Sequence, residues 1–434
     1  MGVWLVPLVL LAIAFLPTCY LLTNVLLSRR RARAQRGAPV DPAQVTIVVP
    51  VHHEPPALFA ECVRSVATQG ARFIVVGDGV DAPYRAIVEG AGGAFVRRSE
   101  PGGKKAALAE GIRRVATPYV LFVDADTVLP AGAASGLAAY FSPGVGGVGA
   151  NLSVRDTGTG VAAAAEFVER AREVVLRAMS SRGNVLYLDG ACMMFRTEQV
   201  RSYILSEEFQ RLSVAGRASS LGDDWLLTDH VLSLGLSTVK AYDIRVVTSP
   251  KGSVGAFVRQ NVRWSRSSWI RLGRYLRGAG PDHPGLFYRL ELGGTYALPI
   301  VVVALAIARG PMEVGLATHS VLDPIAHALY GVATPAPGMH VRSDWVAPVR
   351  DLQLVFGLAG TGTFLGTVAK GIEPRRRLRT VAFGALGTAV LLATSIYGLL
   401  TFWAPSGPTP PAGPVPVRSG GGPSRAVPEG PEGP

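Results

Sequence analysis

Two kinds of hydrophobic pattern divide the chain. Val3 to Leu27 is a long apolar run without a charge, and three more follow much later, at Leu292–Ala308, Leu352–Ala369 and Val381–Trp403. About 20 apolar residues are enough for a helix to cross a hydrocarbon layer, so these runs predict membrane spans. Between them, from residue 45 to about 250, apolar residues come only in short runs. Val45–Val51, Phe73–Val76 and Tyr119–Val123 read as buried strands, and Ala57–Thr68 and Lys104–Val115 as helices. Such alternation predicts an α/β, Rossmann-like domain with a parallel sheet and helices on both faces.

The organisation that follows is a transmembrane helix over 1–28, a basic linker over 29–44 and a soluble α/β domain over 45–250. An amphipathic interfacial segment covers 251–284, a membrane region of about three spans covers 285–404, and a Pro/Gly-rich tail expected to be disordered covers 405–434. Arg29, Arg30, Arg31 and Arg33 follow the first span and nothing positive precedes it. That disfavours a signal peptide and places the domain on the cytoplasmic side of a cell membrane. Arg375–Arg377 and Arg379 should lie on the same side. Met312–Val332 carries Glu313, His319, Asp323 and His327 and reads as an external or re-entrant segment rather than a span.

Composition agrees. Hydrophobic residues make up 48% of the 434 and charged residues 17%, against about 25% charged in soluble domains. The formal charge of +12 comes from 43 Lys+Arg and 31 Asp+Glu. Because many arginines flank apolar runs, the excess points to a lipid bilayer and not to nucleic acid. Cys19, Cys62 and Cys192 have no metal-ligand or redox spacing and read as reduced, packed residues.

In a doubly wound sheet, ligands bind beyond the carboxyl ends of the strands. The first strand runs into Val51-His52-His53-Glu54, the second into Gly77-Asp78-Gly79, the third into Asp124-Ala125-Asp126. Two carboxylates after a buried strand suit Mg²⁺ or Mn²⁺, which accept phosphate oxygens as further ligands; they could equally end the strand or cap a helix. Gly102-Gly103-Lys104-Lys105 opens a helix and could meet an anion or be a solvated turn. Asp223 and Asp224 stand before an apolar helix, where one could take a proton from a hydroxyl or cap the helix. Asp189-Gly190 follows Val185–Leu188, a further strand-like run. Gln260, Arg263 and Trp264 share a helical stretch with Trp269, Arg271 and Arg274. The last three read as an amphipathic face on lipid.

Taken in order, Asp78, Asp124-Ala125-Asp126, Gly222-Asp223-Asp224 and Gln260-Asn261-Val262-Arg263-Trp264 resemble the D, DxD, (T/G)(E/D)D and QxxRW motifs of processive family 2 glycosyltransferases. These include the hyaluronan, chitin and cellulose synthases and the nodulation chitin-oligosaccharide synthases. The resemblance implies a GT-A domain flanked by transmembrane helices, acting on a UDP-sugar and a growing glycan with Mg²⁺ or Mn²⁺. Val51, Glu54, Asp78, Lys104, Asp124, Asp126, Gln260, Arg263 and Trp264 would bind the nucleotide sugar, and Asp124 and Asp126 its metal. Asp224 would be the catalytic base beside Asp223, and Asp189, Gly190, Trp225 and Trp264 would meet the acceptor. The reaction would be an inverting displacement that extends a β-linked polysaccharide and exports it. The chain departs from the pattern at His52-His53-Glu54, at Asp189-Gly190-Ala191 and at Trp225. Product length separates this reading from a non-processive transferase making a glycolipid or short oligosaccharide. A non-catalytic export scaffold would have lost the acids, all of which are present.

Overall fold

The computed structural model describes residues 5–404, except 31, 33, 215, 220, 282, 283 and 316–345. An apolar helix, α1 (Leu5–Ser28), leads into an alternating domain. Its elements are β1 (Val45–Val51), α2 (Pro56–Ala67), β2 (Arg72–Asp78), α3 (Tyr84–Gly90), β3 (Ala94–Arg98), α4 (Gly103–Ile112), β4 (Tyr119–Val123), β5 (Thr127–Val128) and α5 (Ala133–Ala138). Then come β6 (Val145–Val154), α6 (Gly160–Ser180), β7 (Cys192–Arg196), α7 (Thr197–Leu205), α8 (Glu207–Gln210), the short β8 (Ser213–Val214) and β9 (Arg217–Ala218), α9 (Asp223–Ser233) and β10 (Ser237–Thr248). The chain continues as α10 (Val254–Leu276), α11 (Gly285–Gly315), α12 (Val346–Lys370), α13 (Arg377–Ala382) and α14 (Gly384–Leu399).

The three strands and two helices expected at the start of the domain are present, with ends moved by a residue or two at most except for α4, which stops at Ile112 rather than Val115. The eight-stranded sheet has the order β3-β2-β1-β4-β7-β6-β10-β5. It is mixed, which corrects the all-parallel expectation. β3, β2, β1 and β4 run parallel, but β7 is antiparallel to both β4 and β6, and β5 to β10. Val185–Leu188 is buried but forms no strand. Side chains take its backbone instead: Val185 N donates to Thr238 Oγ1 at 3.3 Å and Leu188 N to Thr228 Oγ1 at 3.1 Å. A buried amide needs a partner, and a hydroxyl serves as well as a ladder.

Alternation along the strands builds two cores. Val45, Ile47, Val49 and Val51 of β1 join one with α2 and α5, while Val48 joins the other with α4, α7 and α9. The second core extends into the apolar helices through Ile270, Tyr288 and Leu292.

Gly285–Ala304 and Asp351–Lys370 are long and apolar enough to cross a membrane. Val381–Trp403 is not one straight span: Pro374–Ala382 and Gly384–Leu399 meet at a 47° bend. Stretches facing each other use small residues, as expected where helix backbones approach closely. Gly294 of α11 lies against Tyr20, and Gly360 of α12 against Thr18. The basic run between α12 and α14 touches the sheet domain: Arg376 donates to Val154 O at 3.2 Å, and Arg379 pairs with Asp156. It therefore packs against the sheet domain. Residues 316–332 of the Met312–Val332 stretch, and the tail 405–434, lie outside the described residues.

Candidate active site

The carboxyl ends of β1, β2 and β4 deliver their polar residues to one rim, and a loop before β7 and the start of α9 complete it. Lys104, in the first turn of α4, ties these parts together. Its Nζ lies 2.7 Å from Asp124 Oδ1, 2.8 Å from Asp223 Oδ2 and 3.3 Å from Gly190 O. Burial works against the ammonium, but Asp124 and Asp223 outweigh it, and Lys104 holds its proton more firmly than a free lysine.

The acids respond unequally. Burial raises the proton affinity of Asp223, yet Lys104 overcomes this and keeps it below the usual range. Asp224, one residue on, forms no ion pair among the described residues and feels Lys104 only weakly. Burial and then the charge of Asp223 push it up to about 6, against the backbone N–H of Trp225, which donates to its Oδ1 at 2.8 Å. Adjacent carboxylates with proton affinities driven apart are what acid–base chemistry near neutrality requires. Neither caps α9 in the usual sense, since the N-cap is Gly222, at φ 85°. A side chain there would strike the Trp225 indole, with Nε1 only 2.3 Å from the added carbon. That indole is 4% exposed and donates to Ser267 Oγ of α10 at 2.8 Å. The Trp225 indole is thus packed between α9 and α10 and does not stand open at the rim.

Asp78 is 4% exposed and fully engaged. Its Oδ1 accepts from Gly102 N at 2.8 Å and Arg98 Nε at 3.1 Å, and its Oδ2 from Gly103 N at 2.7 Å. Instead of standing open to a base, its carboxylate caps α4 and fixes the glycine turn that presents Lys104. Its backbone carbonyl accepts from His52 Nδ1 at 2.7 Å, which calls for the imidazole tautomer protonated at that nitrogen. Glu54 closes a turn by accepting from His52 N at 2.8 Å, and Val51, 1% exposed, meets Gly77 in register.

Asp189 is a second engaged acid. It forms a buried ion pair with Lys240 of β10, so its carboxylate is not free for an acceptor sugar. Gly190 stays at the centre: a Cβ on it would lie 3.1 Å from Lys104 Nζ and 3.5 Å from both Asp223 Oδ2 and Asp224 Cβ. Trp264 of α10 presents its ring to the Arg172 guanidinium of α6, 4.6 Å from the centroid. Arg172 donates to Glu169 at 2.8 Å, and Glu169 lies in the field of Asp189 and Lys240. Gln260 is half-buried and Arg263 exposed on the same helix.

The lipid-facing reading of Arg271 is overturned. It is fully buried, paired with Asp229 of α9 and bonded to Tyr288 Oη at 2.7 Å. Trp269 donates to Ser395 O of α14 at 2.9 Å, and Arg274 lies 3.5 Å from Glu208. The thiols divide as well. Cys62 and Cys192 are buried, and burial pushes both upward in proton affinity, whereas Cys19 is exposed.

Reading from the sequence missed Arg98, Lys240 and Lys105. Lys105 is 5% exposed, its Nζ makes no hydrogen bond, and it stands 5.5 Å from the Phe209 ring. The only signal was its place beside Lys104.

Among the described residues no cluster of three or more His, Cys, Asp or Glu side chains could hold a metal unaided. Asp124 and Asp126 nevertheless fit a divalent cation that completes its shell with phosphate oxygens, and the Lys104 ammonium against Asp124 shows that this edge already gathers positive charge. Thr248 Oγ1 lies 3.5 Å from Asp126 Oδ1, leaving that acid weakly engaged.

A mixed α/β sheet with paired acids at its rim and a cationic loop beside them defines a GT-A-like glycosyltransferase fold. The chain belongs to the family described as Glycosyltransferase like family 2, which matches residues 42–267. It is 29% identical over 240 residues to an N-acetylglucosaminyltransferase of Azorhizobium caulinodans, covering 52% of this chain and 60% of that one. An N-acetylglucosaminyltransferase of Sinorhizobium fredii is 29% identical over 301 residues, covering 63% and 68%. One from Rhizobium sp. strain N33 is 30% identical, covering 52% of each. Among solved structures, a mannosyltransferase from Pyrobaculum calidifontis in complex with GDP-Man and Mn²⁺ superposes with a TM-score of 0.55 at 17% identity, over 91% of this chain and 98% of that one. At that identity the likeness is one of fold.

Proposed function

We propose that this glycosyltransferase is membrane-bound, takes a UDP-sugar, with UDP-N-acetylglucosamine the first candidate, and extends a β-linked glycan by inverting transfer. The carrying observation is the division of labour between Asp223 and Asp224 around Lys104. Asp223 is spent on the lysine, and Asp224 is left with a proton affinity of about 6, suited to taking a hydroxyl proton. The rhizobial relatives supply the choice of first donor.

In this reading Lys104 and Arg263 meet the diphosphate, and Val51, Glu54 and the rim near Asp78 form the nucleotide pocket. A divalent cation on Asp124 and Asp126 would polarise the leaving diphosphate. The acceptor hydroxyl lies near Gly190, with Gln260 and Trp264 further along its path. Asp224 takes the hydroxyl proton as the new bond forms at the anomeric carbon and the bond to the diphosphate breaks. α1, α11 and α12 cross a cell membrane with the sheet domain on the cytoplasmic face, and the polymer leaves along them.

The test is radiolabelled transfer by detergent-purified protein with Mn²⁺ from UDP-sugars, singly and in pairs, with product size read on a gel. Polymer from UDP-N-acetylglucosamine alone supports a chitin-like product, and a requirement for UDP-glucuronate as well supports a hyaluronan-like one. Short or lipid-linked product would replace polymerisation by single transfer. Failure with every UDP-sugar would sink the donor assignment.

A further inference from the structure

The indole of Trp264 lies on the acceptor's path in the reading above, and the group that orients it comes from another helix. α6 and α10 are held together by an apolar cluster in which Ala164 and Val168 meet Phe257. Residues four and seven apart share a helix face. Arg172 therefore stands one turn beyond Val168 on the same face of α6, and Trp264 two turns beyond Phe257 on the same face of α10. Their side chains meet, with the guanidinium carbon 4.6 Å from the centre of the ring. The charge of Arg172 is already matched. Glu169, one turn back, accepts from its Nη1 at 2.8 Å, and the side chains are 7% and 26% exposed for Glu169 and Arg172. A guanidinium neutralised in this way is poorly placed to capture a free phosphate or carboxylate, so anion binding does not explain it. A planar cation against an indole face is a favourable stacking contact, and the carboxylate fixes where that plane sits. Arg172 also lies in the field of Tyr187 and Asp189, from the loop that ends at Gly190.

We propose that Arg172 is a positioning residue for the acceptor sugar. Held by Glu169, it covers one face of the Trp264 indole and fixes the ring, so that a sugar stacks on the other face and its hydroxyl approaches Asp224 along one line. Trp264 is only half-buried, so part of the ring remains for that contact. An indole without a cation behind it would turn about its side-chain bonds and would have to be immobilised by the sugar itself. Fixing the ring beforehand removes that cost from binding.

The inference rests on the transferase reading, and the probe is chitotetraose, an oligomer of N-acetylglucosamine, offered to the full chain in detergent. Arg172→Met keeps the side-chain stem and removes the cation. Its KM for chitotetraose should rise about 3- to 10-fold, the worth of a cation–π contact at a partly exposed site. The KM for UDP-N-acetylglucosamine and the Tm should stay near wild type. Arg172→Lys, which keeps a charge over the ring, should recover part of the acceptor affinity. Tryptophan emission gives a readout that needs no turnover. The difference between a chain and its Trp264→Phe counterpart isolates this indole, and that difference spectrum should change in Arg172→Met and return towards wild type in Arg172→Lys. An unmoved acceptor KM, equal rises in acceptor and donor KM, a large loss of Tm in Arg172→Met, or an unaltered Trp264 spectrum would overturn the proposal. A wild type that transfers from no UDP-sugar removes the functional reading and this inference with it, whereas an active wild type with an unmoved Arg172→Met removes this inference alone.

Discussion

Asp78 Oδ2 accepts the backbone N–H of Gly103 at 2.7 Å, so an acid at the end of one strand holds the turn that aims a lysine at two others. Asp78→Ala should strand Gly102 N, Gly103 N and Arg98 without their acceptor. The expected loss is about 1–3 kcal/mol of stability, the cost of leaving buried donors unpaired, together with a raised KM for the sugar donor. Thermal melts and donor titrations check both. Unchanged stability with lost donor binding would assign Asp78 to the nucleotide alone.

Asp224→Asn should lower transfer about 10²- to 10⁴-fold, the usual worth of a positioned base, while UDP affinity stays near wild type. Isothermal titration with UDP and initial rates separate the two. Loss of UDP binding would contradict the role given to this acid.

The pH profile follows from the same residue. Asp224 must be ionised to accept a proton, so kcat/KM should fall as pH drops through about 6. Stability runs the other way. A carboxyl whose folded proton affinity is raised stabilises the fold most below its unfolded range, and that contribution is lost as pH rises through about 6. Rates and Tm measured across pH 4.5–8.5, an ordinary working range around His and carboxylate titrations, should therefore show opposite trends through this region.

Lys240→Met should destabilise by about 3–5 kcal/mol, because Asp189 would be left buried and unmatched. Adding Asp189→Asn should recover most of that loss. Chemical denaturation of the two variants checks this. A double variant that folds well but shows a raised acceptor KM would return Asp189 to the acceptor site.

Gly190→Ala places a methyl group 3.1 Å from Lys104 Nζ. The lysine tip can shift, so folding should survive, but the link from Lys104 to Gly190 O and Asp223 would be disturbed. The expected result is a drop in kcat with little change in Tm.

The rim acids were legible because each follows a run of buried strand residues. Val45–Val51 and Tyr119–Val123 match the observed strands, and Asp124 falls directly after the second. What stayed hidden depends on partners distant in sequence. Cys192–Arg196 is as long as β4 but has no β-branched residue to announce a strand, yet it sits antiparallel between β4 and β6. The burial of Arg271 could not be read from α10, whose pattern shows only a basic face. Asp229, on another helix, turns that face inward. Likewise Asp78 and Asp189 look available in sequence and are committed only once Arg98, Gly102 and Lys240 arrive beside them.

The buried thiols flank the Asp-Ala-Asp corner from two sides. Cys62 Sγ contacts Asp124 O at 3.5 Å, and Cys192 meets Val123 in register. While the sheet stays closed, an alkylating reagent reaches neither buried thiol. A Cys19→Ser chain, which removes the third thiol from the readout, is therefore a natural clock: its rate of thiol modification counts how often the Asp124–Asp126 corner opens, and bound donor should slow it.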